Sequence, residues 1–439
     1  MFLSRHLRFY IASAVFAFSA QSFAGAFQLW EESASSMGDY HAGAAAEANN
    51  ASTVFYNPAG MVRIKHQQVS IGAALIDLKV RYDGGVFQNV GGVIVPNGQT
   101  TASIPGDTAN IVPNFHYVLP LNEHWQFGLE ETTPFGLSTN YTDFNSLVDN
   151  VRDLATKTEL QTVNLNPSLS YLINRYVSVG AGFDAMNGQA TYNNFGILAP
   201  LKNKLDGWGY GYNAGLLFQF TPETRLGLSY RSAVTIDAKG PSEFDYSTNN
   251  VNKSTVSARF PLPPTTMMSI YHDVNSRLAI MASAFYTQWS CFRTLVIKNM
   301  AQLPVSQGGT SDVATVAINE NYRDTWNLAI GSRYKFNQHI ALEAGFGHDE
   351  TPTQIPYRDI RLPDDNRYVA SLGLNIHPSS NFEWSMGWTH LFTGHTSIDN
   401  SGGFNAAQSS GISQDNFSYG VGTVHSNVNL FGIQLTWNV

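Results

Sequence analysis

Apolar and polar residues alternate with a period of two through much of the second half of the chain. In "DTWNLAIGSRYKF", Trp326, Leu328, Ile330, Tyr334 and Phe336 share one face, and Thr325, Asn327, Gly331, Arg333 and Lys335 the other. The pattern returns at Ile340, Leu342, Ala344 and Phe346, at Tyr368, Ala370, Leu372, Leu374 and Ile376, and at Phe382, Trp384, Met386 and Trp388. This period predicts β-strands with one apolar face. A soluble sandwich alternates in the same way. These runs, however, reach about 10 to 14 residues, the length of a strand that crosses a bilayer. Their aromatics gather near the ends, where an interfacial belt would sit.

The connections predict the topology. Six are short, at 120–124, 173–175, 221–224, 273–276, 337–338 and 378–381. Between them lie seven long, polar, Gly/Asn/Asp-rich stretches, near 82–108, 136–157, 191–207, 239–262, 291–323, 350–365 and 393–425. Thirteen connections require fourteen strands. Short periplasmic turns, long external loops and an even strand number describe an outer-membrane barrel with both termini in the periplasm. The expected class is therefore all-β, a 14-stranded antiparallel transmembrane barrel over 67–439.

Residues 25–66 break the pattern. They are rich in Ala, Ser, Gly and Asn, and Asn57-Pro58-Ala59-Gly60 stops any regular element. A fourteen-stranded barrel is too wide for its own side chains to fill. A compact segment of small residues suits a plug inside it, so 25–66 is expected to be an N-terminal hatch.

Composition agrees. Of 439 residues, 13% are charged and 13% aromatic, with 37 glycines. No apolar run of membrane-helix length follows the N-terminus, which leaves the closed barrel as the spanning solution. Residues 1–24 read as a secretory signal peptide: Arg5 and Arg8, an apolar run from Phe9 to Ala20, and Ser22-Phe23-Ala24. Removing it takes the formal charge from −8 to −10, which argues against a nucleic-acid partner. The one cysteine, Cys291, allows no internal disulfide, so rigidity must come from the closed ladder.

Catalytic and cofactor patterns are weak. Gly209 to Ala214 reads G-x-G-x-x-A, but a strand pattern follows it where a dinucleotide site needs a helix. His348, Asp349 and Glu350 are adjacent, so on a strand they point to opposite faces and suit neither metal nor catalysis. There is no G-x-S-x-G, H-E-x-x-H or C-x-x-C. Neither enzyme activity, metal nor cofactor is expected.

The segment 25–62 resembles the hatch of the FadL family of outer-membrane transporters of long-chain fatty acids and other hydrophobic compounds. The resemblance rests on Phe27, Gln28, Leu29, Glu32, Ser33, Gly38, Ala42, Gly43 and Ala46, followed by Asn57, Pro58, Ala59 and Gly60. "PFGLST" at 134–139, "NLNPSLSY" at 164–171, "YRS" at 230–232 and "LPDDNRY" at 362–368 extend it over nearly the whole mature chain. It implies passive uptake of a hydrophobic ligand through a lumenal pocket, with lateral exit at a kink in the third strand. It places that kink at Pro134, Phe135, Gly136 and Leu137. It implies ligand contacts at Phe27, at Arg323, where a basic residue would hold an acidic head, and at Gln189, where a relative can carry a second basic residue. An Arg solvated at a loop base is the alternative for Arg323. Implied partners are a long-chain fatty acid or hydrocarbon, outer-membrane lipid and lipopolysaccharide, and the barrel assembly machinery, for a protein acting as a monomer in the outer membrane of a Gram-negative bacterium. Uptake of aromatic hydrocarbons, general diffusion and a lipid-active barrel enzyme stand as alternatives.

Overall fold

The computed structural model describes residues 25–439 except 91–92, 98–100, 142–150, 197–198, 248–249, 310, 403 and 407–416. The expected signal peptide, residues 1–24, lies outside them. Fourteen strands follow one another around a single sheet: β1 (Gln68–Val90), β2 (Thr101–Pro105 and Thr108–Pro120), β3 (Trp125–Thr132 and Gly136–Asn140), β4 (Lys157–Asn174), β5 (Val177–Gly196), β6 (Ala199–Gln219) and β7 (Thr224–Arg231 and Val234–Ser247). They continue as β8 (Asn250–Leu262 and Thr265–Asp273), β9 (Leu278–Thr287 and Thr294–Ala301), β10 (Val313–Asn319 and Thr325–Lys335), β11 (Ile340–Asp349), β12 (Arg367–Ser379), β13 (Phe382–Thr393 and His395–Asp399) and β14 (Phe417–Asn438). Each is antiparallel to the next, and β14 closes on β1 from Gln68↔Asn438 to Asn89↔Phe417. Closure leaves no edge in lipid and satisfies the backbone between strands.

The six short turns fall where the pattern put them. The long connections differ in part. β5 has 20 residues and β6 has 21, and β7 runs to Ser247 and β8 from Asn250, so the polar stretches 191–207 and 239–262 are mostly continuations of strands. A ladder satisfies the backbone outside the membrane as well as inside it. Polar composition therefore marks the end of the apolar band rather than the end of the strand.

The alternation reads out as lipid side and lumen side. Ile71, Leu75, Leu328, Ile330, Leu342, Leu372 and Ile433 are exposed on the outer surface. Aromatic pairs rim this band, with Trp125–Tyr171 (4.6 Å between rings) and Phe382–Trp437 (5.9 Å) at the turn end and Tyr286–Trp326 (4.8 Å) toward the other. Tyr and Trp suit that level because each has an apolar body and a polar tip.

Residues 25–67 fill the lumen. Three four-residue helices, α1 (Ala34–Met37), α2 (Ala44–Glu47) and α3 (Thr53–Tyr56), precede a 3₁₀ turn at Pro58–Arg63. Such short helices are not stable alone. The wall holds them: Gly43 and Ala45 donate their N–H groups to Ser283 and Ser269 (2.8 and 3.1 Å), and Arg225 donates to the carbonyls of Ala46 and Glu47 (2.7 and 2.9 Å). Glycines bring the two backbones together. A Cβ at Gly180 would stand 2.5 Å from the Ala59 nitrogen, and one at Gly227 would overlap the Ala45 carbonyl. Small residues in the hatch thus meet glycines in the wall, which is why this segment is rich in Ala, Ser and Gly.

Candidate functional site

The third strand breaks where Pro134 and Gly136 lead it to break. Its lower half pairs with β2 up to Phe115↔Glu131, and with β4 up to Thr132↔Asn164. Above the break, Gly136–Asn140 pairs with β4 alone. The β2 residues Thr108–Asn114 keep only β1 as a ladder partner. Strands two and three therefore part above Phe115. Pro113, on the β2 side, has no N–H to offer a ladder, as suits a local edge.

The hatch takes up the backbone groups that the kink frees. Thr133 donates its N–H to both carboxyl oxygens of Glu32 (3.1 Å each), Leu29 donates to the Pro134 carbonyl (2.8 Å), and Gly136 donates to the Phe27 carbonyl (2.8 Å). Phe135 donates to the Thr162 hydroxyl (3.0 Å). An unpaired group in lipid would cost several kcal/mol. Here the parting of two strands leaves these kink groups paired.

Beside the kink lies a cavity of about 90 Å³, in the outer half of the lumen. Its walls include Leu137, Leu160, Leu205, Phe260, Leu262, Ile297 and Ile318, and Phe27 contributes from the hatch. Phe27 packs edge-on against Trp289 (4.6 Å), Phe292 (5.6 Å) and Phe135 (6.2 Å). Trp289 and Phe292 come from a break in β9, and Tyr322 from a break in β10, so wall interruptions on the far side supply the aromatic cluster. Phe135 lines a second, smaller chamber with Trp30, Phe55 and Arg231. Arg231 crosses the lumen to Asp184 and to Glu130 (2.9 Å), tying β7 to β5 and β3.

Polar groups stand on one side of the larger cavity. Arg361 pairs with Asp359 (2.6 Å) and lies over the Tyr192 ring at 4.4 Å. Arg358 bonds the Thr353 hydroxyl (2.9 Å) and pairs with Asp365 (3.3 Å). Glu320 also lines the cavity. Burial, reinforced by Asp359, pushes its carboxyl up to about 8.

Of the residues expected to touch ligand, Phe27 lines this cavity and two do not. Arg323 is exposed; its Nε donates to the Thr351 carbonyl (3.1 Å) at the base of a loop. Gln189 points out of the barrel, because strand alternation gives the inner face to Gly188 and Ala190. The arginines lining the cavity, Arg358 and Arg361, both precede the "LPDDNRY" stretch at 362–368, Arg361 immediately. That stretch marked resemblance in the sequence, with nothing to mark the cavity. Asn57 is fully buried: its Nδ2 donates to the Ala45 carbonyl (2.7 Å) and the Leu216 carbonyl (3.0 Å), and its Oδ1 accepts from the Ala59 N–H (3.0 Å). Pro58 and Ala59 lie against Gly180, and Gly60 against Thr53. This four-residue stretch is therefore a dock between hatch and wall, away from the cavity.

Comparison with known proteins gives a consistent result. Residues 15–438 match the family model described as outer membrane protein transport protein (OMPP1/FadL/TodX). The chain is 30% identical over 417 residues to the long-chain fatty acid transport protein of Escherichia coli O6:H1 (strain CFT073), covering 83% of this chain and 86% of that one. A crystal structure of a Pseudomonas aeruginosa FadL homologue superposes with a TM-score of 0.79 at 23% identity, covering 94% of this chain and 100% of that one. The Pseudomonas putida toluene transporter TodX superposes with a TM-score of 0.68 at 15% identity, covering 95% and 100%.

Proposed function

Because the chain belongs to the outer membrane transport protein family of FadL and TodX, we propose that it takes up hydrophobic compounds, long-chain fatty acids first among them, by passive diffusion through its plugged barrel. The protein resides in the outer membrane. In this reading a ligand enters the cavity beside Phe27 and leaves sideways into the outer leaflet between β2 and β3, at the kink of Pro134, Phe135, Gly136 and Leu137. The observation that carries the reading is the parting of those strands next to an apolar cavity that shares Leu137 with the kink. An apolar ligand gains nothing from an aqueous channel, and the lumen below is occupied by the hatch. The relative named for long-chain fatty acids favours an acyl ligand. The fold shared with a toluene transporter keeps aromatic hydrocarbons as the second reading. The protein would act as a monomer in lipid and lipopolysaccharide, after insertion by the barrel assembly machinery.

The test is closure of the gap. The Thr108 hydroxyl already reaches the Ser138 carbonyl (3.4 Å) across it. Cysteines at both positions, in a Cys291→Ser background, can be joined by a short bifunctional reagent. Cross-linked protein should lose oleate uptake in cells and keep oleate binding in detergent. Uptake at the uncross-linked rate with the link verified would rule out the lateral exit.

A further inference from the structure

The cavity presents a problem for an acidic ligand. Each cation among the described residues lining it already has a carboxylate, Arg361 with Asp359 (2.6 Å) and Arg358 with Asp365 (3.3 Å), and the lining carboxyl of Glu159 is held by Lys157 (2.6 Å). Among the described residues lining the cavity, these pairs leave one carboxyl over, that of Glu320. An ionised carboxyl without a cation of its own, packed beside Asp359, is unfavourable, and the group keeps its proton instead. A second feature lies next to it. Arg361 is buried, and its Nε–H has no hydrogen-bond partner. A buried donor without an acceptor costs about 1–3 kcal/mol. The cavity therefore offers two hydrogen-bond donors, the Glu320 O–H and the Arg361 Nε–H, and no unpaired positive charge.

We propose that the polar end of the ligand is received by these two donors, with a fatty-acid carboxylate sharing the Glu320 proton and accepting from Arg361 Nε. The proposal rests on the hydrophobic-uptake reading above and adds the recognition chemistry. No covalent bond changes; one proton lies between two carboxyl oxygens, and the bound pair carries a single negative charge. That charge sits beside Arg361, which can serve the ligand while still holding Asp359. The groups facing Glu320 are Tyr322 on its own segment, whose hydroxyl hydrogen-bonds one carboxyl oxygen, Asp359 and Arg361 on the connection after β11, and Tyr192 on β5. The tyrosines remain neutral over most of the range tested, since an ordinary tyrosine titrates at about 10. Glu320 is therefore the group whose titration governs binding. A neutral ligand with a hydroxyl end needs only an acceptor and a donor, and should be indifferent to that proton.

The experiment measures binding of oleate and of oleyl alcohol to the full-length protein in detergent from pH 6.5 to 9.5, for wild type and Glu320→Gln. For wild type, oleate affinity should be level below about pH 8 and then fall about tenfold per pH unit, as one linked proton requires. Oleyl alcohol should show no such fall. In Glu320→Gln the amide N–H replaces the shared proton, so the oleate profile should be flat. If Glu320→Gln is poorly folded, [1-¹³C]oleate bound to wild type gives a second readout, since its carboxyl resonance should titrate only at a pH above that at which the affinity begins to fall, because the bound ligand holds the shared proton. A flat wild-type oleate profile, or an unchanged slope in Glu320→Gln, overturns the proposal while oleyl alcohol binding keeps the uptake reading. Failure of wild type to bind either ligand overturns both.

Discussion

Asn57→Ala should loosen the hatch without unfolding the barrel. The side chain is fully buried and makes three hydrogen bonds, two to carbonyls in the hatch and β6 and one from the Ala59 N–H. Alanine leaves all three backbone groups in place without those partners. At about 0.5–1.5 kcal/mol each, the loss is about 1.5–4.5 kcal/mol. The hatch has few reserves against such a loss. Tyr40, His41 and Ala48 hold left-handed backbones (φ 55°, 58° and 48°), each of which costs about 1–3 kcal/mol that wall contacts must offset. Each 1.36 kcal/mol is a factor of ten, so the undocked population should rise by about one to three orders of magnitude. The assay is maleimide labelling of a cysteine placed at Ala51, which is fully buried, in a Cys291→Ser background. A cysteine at exposed Asn49 serves as the control for accessibility. Labelling at 51 should accelerate in Asn57→Ala while labelling at 49 does not. Equal rates at 51 in both backgrounds, with heat-shifted gel mobility showing a folded barrel, would refute the docking role.

Deletion of residues 25–60 should leave a folded barrel with raised single-channel conductance and reduced specific uptake, because the fourteen strands pair all round the wall and only the kink at 133–136 loses hatch partners; failure to fold in detergent would show the plug to be structural core. Gly227→Leu should give the same open phenotype by a different route, since its Cβ occupies the place of the Ala45 carbonyl, and bilayer conductance reads it directly. Arg323→Ala should change oleate affinity by no more than about 0.5 kcal/mol, the range for an exposed side chain away from a packed site, as equilibrium binding would show. Glu320 carries a sign for stability: its folded pKa of about 8 lies above its ordinary 4.5, so the unfolded chain gives up the proton first. Its contribution is complete below about pH 4.5 and lost as pH rises toward 8, and Glu320→Gln should flatten that part of a denaturant-midpoint profile.

The alternation at Trp326, Leu328 and Ile330, with the six tight turns, carries the strand count and the outer face, because period and spacing are local properties of the chain. Pro134 and Gly136 mark the kink for the same reason: a missing N–H and a missing side chain act wherever they stand. Tertiary structure decided what these features mean. The gap survives because Glu32, Leu29 and Phe27, about a hundred residues earlier, pair with the backbone that the kink releases. Gln189 faces away from the lumen while Ala190 faces it, a difference of one residue in register that changes the role of both. Arg323 and Arg361 look alike in sequence as arginines near loops. Only the folded lumen buries Arg361 with an unpaired N–H beside Glu320 and leaves Arg323 in solvent. Charge partners and burial depend on residues distant in the chain, and no pattern along the sequence encodes them.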